Sequence, residues 1–159
     1  MKISEHCTYK EGIRSTTALR LGIDNTPDIE TLKAMELVAE KVFEPVREFI
    51  ARPIRVNSFF RSKALNTAIG GSKTSQHMKG QAMDIDIPYG HEANAKMFDF
   101  IKDNLDFDQL IWEFGDDKNP DWIHVSYACD ASNRNIILKA VKENGRTKYI
   151  RIDQDGKNN

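Results

Sequence analysis

Residues 82–87 read Ala-Met-Asp-Ile-Asp-Ile, and this strict alternation constrains the fold more than any other stretch. Successive side chains of a β-strand point to opposite faces. Met83, Ile85 and Ile87 must therefore share one face, and Ala82, Asp84 and Asp86 the other. The segment before it, Ser-Gln-His-Met-Lys-Gly-Gln, puts His77 seven positions ahead of Asp84. A helix would bring these two onto one face but leave them about 10 Å apart along its axis. Gly80 and the Gly70-Gly71 pair argue against a helix here. The expected conformation is a loop that runs into a strand.

Other strands are expected at 54–60, 109–114 and 122–127. Two more, at 136–141 and 147–152, flank Asn144-Gly145, a strong hairpin turn. Thr26-Pro27 has the form of a helix start, with a hydroxyl N-cap before a proline. An apolar stripe follows at Leu32, Met35, Val38, Ala39, Val42, Val46 and Phe49. Pro45 lies inside that stripe and predicts a kink or an early end. A second helix is predicted over about 91–104, with Ala95, Phe98, Ile101 and Leu105 inward. Early and central helices with clustered strands point to an α+β fold. It is a largely antiparallel sheet flanked by helices.

The length of 159 residues fits one domain over 1–159, with a polar tail from about residue 153. A formal net charge of -1 gives no electrostatic case for nucleic acid. No apolar run reaches membrane-spanning length, so no membrane partner is expected and the protein is read as a monomer. The N-terminal stretch lacks an apolar signal core. Synthesis in a cytoplasm is expected, with any action elsewhere following release. Cys7 and Cys129 form no disulfide framework or CxxC knuckle, and a single disulfide between them stays open.

The chemistry gathers around Asp84. In Trp-Ile-His-Val-Ser-Tyr, Ile123, Val125 and Tyr127 take one face and Trp122, His124 and Ser126 the other. If this strand neighbours 82–87, Asp84 and His124 face one cleft, and His77 folds back over it. Two imidazoles and a carboxylate make a three-ligand zinc site with the fourth position left to water. Such a site needs a base. Asp121, three residues before His124, and Glu113, at the end of the 109–114 strand, are the two candidates. Glu113 has a plainer reading as the partner of a basic neighbour. His6 and His91 have nothing converging on them, and Trp112 and Trp122 read as core or cleft wall.

Taken together, Ser75-x-His77, Gly80, Ala82 and Asp84 resemble the SxHxxGxAxD signature of the M15 family of zinc D-Ala-D-Ala peptidases. Ser58-Phe59-Phe60-Arg61-Ser62 resembles the family's upstream SGYRS stretch, and Asn66 and Gly70-Gly71 fit the same segment. Asp121-Trp122-Ile123-His124 resembles its acid-x-x-His element. The similarity runs from about Ser15 to Tyr127 and looks closest to the short, phage-type members. It implies zinc on His77, Asp84 and His124, with Asp121 as general base where many members carry glutamate. It also implies a substrate anchor at Arg61 and a substrate hydrogen bond from Ser75. Phe59 replaces the family's usual glycine, and its ring is expected to narrow the cleft.

The expected function is hydrolysis of peptidoglycan stem peptides. The enzyme would be a D-Ala-D-Ala carboxypeptidase or a related endolysin-type endopeptidase, with a role in phage lysis. Cleavage at another bond such as L-Ala-D-Glu is a weaker option. The alternative class is a non-catalytic, metal-containing wall-binding module on the same scaffold.

Overall fold

A computed structural model describes residues 1–88 and 92–152. His91 and the tail from 153 lie outside the described residues. A short ribbon, β1 (Lys2–Ser4) and β2 (Cys7–Thr8), leads into two short helices, α1 (Tyr9–Ile13) and α2 (Thr16–Leu21). The first long helical segment is α3 (Ile29–Val38), continued by a π-turn (Ala39–Phe43) into α4 (Glu44–Ile50). Then come β3 (Arg55–Ser58), α5 (Lys63–Ala68), a 3₁₀ turn (Gln76–Lys79) and β4 (Ala82–Asp86). The described residues close with α6 (Glu92–Asn104), β5 (Gln109–Glu113), β6 (Trp122–Ser126), β7 (Ile136–Glu143) and β8 (Arg146–Ile152).

Six strands form one sheet in the order β3-β4-β6-β5-β7-β8. All neighbours are antiparallel except β5 and β7, which run parallel. The fold is thus α+β with a largely antiparallel sheet. Asn144 and Gly145 both take positive φ, 53° and 75°, as the hairpin turn between β7 and β8 demands. One face of the sheet packs against helices. Val56, Met83, Ile85, Leu110, Ile123, Val125 and Ile137 meet Met35, Val38, Val42, Val46, Met97 and Ile101 in one buried cluster. The other face carries Asp84 and His124.

Four local expectations are corrected by the structure. The helix starts at Asp28, whose side chain accepts from the Thr31 N–H at 2.7 Å, so Pro27 stands before the cap and not after it. Pro45 neither breaks nor ends the helical path. It lacks an N–H and crowds the turn before it, and the backbone widens there into the π-turn, with Glu44 N–H bonding to the Ala39 carbonyl. Phe49 is 52% exposed and stacks on Phe100 instead of entering the core, with ring centroids 4.3 Å apart. In α6 the deep positions are Met97, Phe98 and Ile101, while Ala95 is only half-buried. Cys7 and Cys129 are both free thiols. Among the described residues no helix is long and apolar enough to cross a membrane.

Candidate metal centre

β4 and β6 pair with Asp84 directly opposite His124. Facing residues of a ladder project to the same side, and an oxygen of Asp84 lies 2.9 Å from Nδ1 of His124. His77 comes from the 3₁₀ turn just before β4. Ser75 caps this turn, its Oγ accepting from the His77 N–H at 3.3 Å. Gly80 ends it at φ 68°. A side chain at Gly80 would also meet the Thr31 carbonyl oxygen at 2.7 Å, so only glycine lets the turn lie this close to α3. The segment is therefore a tight turn feeding a strand, which is how His77 folds back over Asp84.

Hydrogen bonding sets the His77 tautomer. Nδ1 lies 2.7 Å from the carbonyl oxygen of Phe59, which can only accept, so Nδ1 carries the proton. Nε2 is then a lone pair. It is buried without a hydrogen-bond partner and faces Asp84 Oδ2 at 3.3 Å. Burial pushes His77 below the usual imidazole range, so the ring is neutral near neutral pH. Burial works against the Asp84 carboxylate, yet it is held below the usual carboxylate range, the hydrogen bond from His124 favouring the ionised form. A lone pair set against a carboxylate oxygen is an arrangement that a proton or a metal ion between them satisfies. One ligand atom from each of His77, Asp84 and His124 lies within 4.8 Å of the others. The nitrogen and oxygen donors fit a divalent transition metal.

Glu113 borders this cluster. On β5, Ile111 faces His124 and Glu113 faces Trp122, so Glu113 projects from the same side of the sheet. It is 7% exposed, and among the described residues its carboxylate has no ion pair, so the basic neighbour expected from sequence is not there. Burial raises it to about 7, with His124 pulling it down and Asp84 pushing it up. Asp121 is placed differently. It is exposed, at a bend one residue before Trp122 and so out of phase with His124. Its backbone is tied down, the N–H to the Glu113 carbonyl at 3.0 Å and the carbonyl to Asn94 Nδ2 at 3.2 Å. Its side chain makes no hydrogen bond or ion pair with the cluster.

Arg61 follows β3, with its N–H bonded to the His77 carbonyl at 3.2 Å. Its Nε is buried without a partner, and its guanidinium feels the Asp84 charge. Arg61, Arg14 and Ser58 line a cavity of about 260 Å³ whose lining includes none of His77, Asp84, His124 and Glu113. Ser58 is the β3 residue opposite Asp84. Phe59 does not narrow the cleft: its ring is 1% exposed within the core, and only its carbonyl reaches the site, as the His77 acceptor.

Two features escaped the sequence reading. Asn25 clamps the 58–62 segment, donating to the Phe60 carbonyl at 3.1 Å and accepting from the Ser62 N–H at 2.7 Å. Tyr149 on β8 shares electrostatic contact with Glu113, Asp84 and Arg61. Nothing in the local pattern marks Asn25. The hairpin register was readable, but the strand beside which it docks was not.

No curated protein matches this chain. Residues 5–126 match the Peptidase M15 family, a span that holds His77, Asp84, Glu113 and His124, and the chain belongs to that family of metallopeptidases.

Proposed function

We propose that this protein is a zinc peptidase that hydrolyses peptidoglycan stem peptides, at D-Ala-D-Ala or a related D-amino-acid bond. The observation that carries this reading is a buried carboxylic acid without a partner, Glu113, beside a His-Asp-His set whose His77 Nε2 has nothing to bond. His77, Asp84 and His124 hold the metal. When bound, zinc supplies Lewis acidity at the scissile carbonyl and eases deprotonation of water.

The remaining work belongs to the chain. Glu113, near 7, is matched to exchanging protons at neutral pH. It takes a proton from the attacking water and passes it to the leaving amine, so one C–N bond breaks and one C–O bond forms. We assign the base to Glu113 rather than Asp121, because Glu113 shares the face of His124. Arg61 and Arg14 beside the cavity favour a substrate carboxylate, such as the C-terminus of a stem peptide. Ser75 spends only an acceptor lone pair on the turn, so its O–H is free to donate to substrate. The same reading makes the protein a monomer acting on the cell wall, as a phage-type lytic enzyme does.

The test is mass spectrometry of products from purified peptidoglycan and from a defined muropeptide, with metal content measured alongside. Release of D-alanine supports the carboxypeptidase. An internal D-amino-acid cut supports the endopeptidase. Zinc-loaded protein that binds wall and cuts nothing makes it the non-catalytic module.

A further inference from the structure

The family match ends at residue 126, yet the sheet does not. The β7–β8 hairpin adds two strands beyond it, and their register is informative. Glu113 on β5 faces Ala140 on β7, and Ala140 faces Tyr149 on β8. Trp122 faces Glu113 from the other side. Trp122, Glu113, Ala140 and Tyr149 therefore form one row on the site face of the sheet. Adjacent strands lie about 4.8 Å apart, so Glu113 and Tyr149 are separated by about 10 Å of backbone. Only the methyl of Ala140 stands between them. A larger residue there would wall the hairpin off from the site.

The opposite face of β8 confirms the phase, since Ile152 packs against the core. The Tyr149 ring is not fully solvated; 54% of the residue is exposed. Its hydroxyl also feels Arg61, which lies beyond β3 at the far edge of the sheet, as well as Asp84 on β4. The register places Tyr149 on the site face beside the small Ala140, so its phenol has room to lean inward toward the cleft, in keeping with that electrostatic coupling. There it is an O–H donor with no hydrogen-bond partner in the protein, since no hydrogen bond to its side chain exists among the described residues.

Building on the peptidase reading, we propose that Tyr149 is a further catalytic residue, its phenol O–H donating to the oxyanion that develops on the scissile carbonyl. The hairpin is then part of the active site and not an appendage of it. Burial, Glu113 and Asp84 all keep the phenol protonated, which a donor requires.

The experiment compares wild type with Tyr149→Phe and Tyr149→Ala. Zinc content, thermal unfolding, kcat and KM on a cleaved muropeptide are measured, together with calorimetric affinity for a phosphinate analogue of the same peptide. Tyr149→Phe is expected to keep zinc and melting temperature, lose about 100-fold in kcat with little change in KM, and bind the phosphinate more weakly by a similar factor. Tyr149→Phe with wild-type kcat and phosphinate affinity overturns the proposal while leaving the peptidase reading intact. A change in KM alone also overturns it, making Tyr149 a substrate wall. If wild type neither cleaves nor binds the phosphinate, the peptidase reading fails first and this proposal falls with it.

Discussion

Asp84, partly buried, and Asp108, buried, are both carboxylates held by side chains, and only one of them is finished. Asp108 accepts from Arg134 Nε at 2.9 Å, Arg134 Nη2 at 2.8 Å, the Arg134 N–H at 3.1 Å and Gln76 Nε2 at 3.0 Å. Both of its oxygens meet donors, and these bonds hold it below the usual carboxylate range. Asp84 meets one donor at most, from His124. Its other oxygen faces the bare lone pair of His77 Nε2 at 3.3 Å. A carboxylate whose lone pairs all meet hydrogens is structural. One that faces another lone pair has the donor set of a cation site. The two sites are also linked, because Gln76 is the neighbour of His77, so the finished cluster helps to hold the turn that carries His77.

The largest effect should come from the unfinished site. His77→Ala removes a ligand, so zinc affinity should fall by more than the roughly 10–100-fold typical of losing an outer partner, and activity should drop to background. Asp108→Ala should leave zinc stoichiometry unchanged. Competitive chelator titration of both variants checks this. Full zinc retention in His77→Ala would remove the basis of the contrast.

Next comes the acid beside the cluster. Glu113→Gln should keep zinc and lose about 10²–10⁴ in kcat, whereas Asp121→Asn should be mild. The reverse ranking, on folded and zinc-loaded variants, would return the base to Asp121. A smaller effect belongs to the finished site. Arg134→Ala removes two charged hydrogen bonds, but the guanidinium is half exposed and water can replace it. A loss of about 1–3 kcal/mol of folding stability is expected, with little change in kcat once zinc is bound. Denaturant unfolding measures it, and an unchanged midpoint would show that water satisfies Asp108 equally well.

Much of this site was legible in the sequence, for one reason. Alternation in 82–87 and 122–127 decides which way Asp84 and His124 point whichever strands lie next to them, and the structure pairs those two residues directly. That rule does not reach a strand's margin. The acid-x-x-His spacing favoured Asp121, but the chain bends there and the residue falls out of phase. Glu113 and Tyr149 depend on strand order, and the parallel pairing of β5 with β7 has no local signature. Phe59 illustrates another limit. A ring where the family has glycine suggests a blocked cleft, yet backbone direction sends the ring into the core and the carbonyl to His77.

The smallest effect sharpens the contrast through pH, in metal-free protein. Glu113 is raised to about 7, so its contribution to stability is fully present below the unfolded carboxyl value and is lost as pH rises through 7. Asp108 is depressed, so its contribution is present above the unfolded value and is lost as pH falls through the folded one. The two carboxyls thus load stability onto opposite ends of the pH scale. Glutamine at 113 is neutral throughout. The melting temperature of Glu113→Gln relative to wild type should therefore climb between about pH 4.5 and 7 and level off above. Asp108→Asn should show its full deficit at neutral pH, and the deficit should shrink below about pH 4. His77 is depressed by burial and so acts in the opposite sense to Glu113, and differences between variants are needed rather than the wild-type curve alone. A pH-independent offset for Glu113→Gln would mean that the buried acid is solvated in the metal-free state. It would then lose the proton-holding property that its role as base rests on.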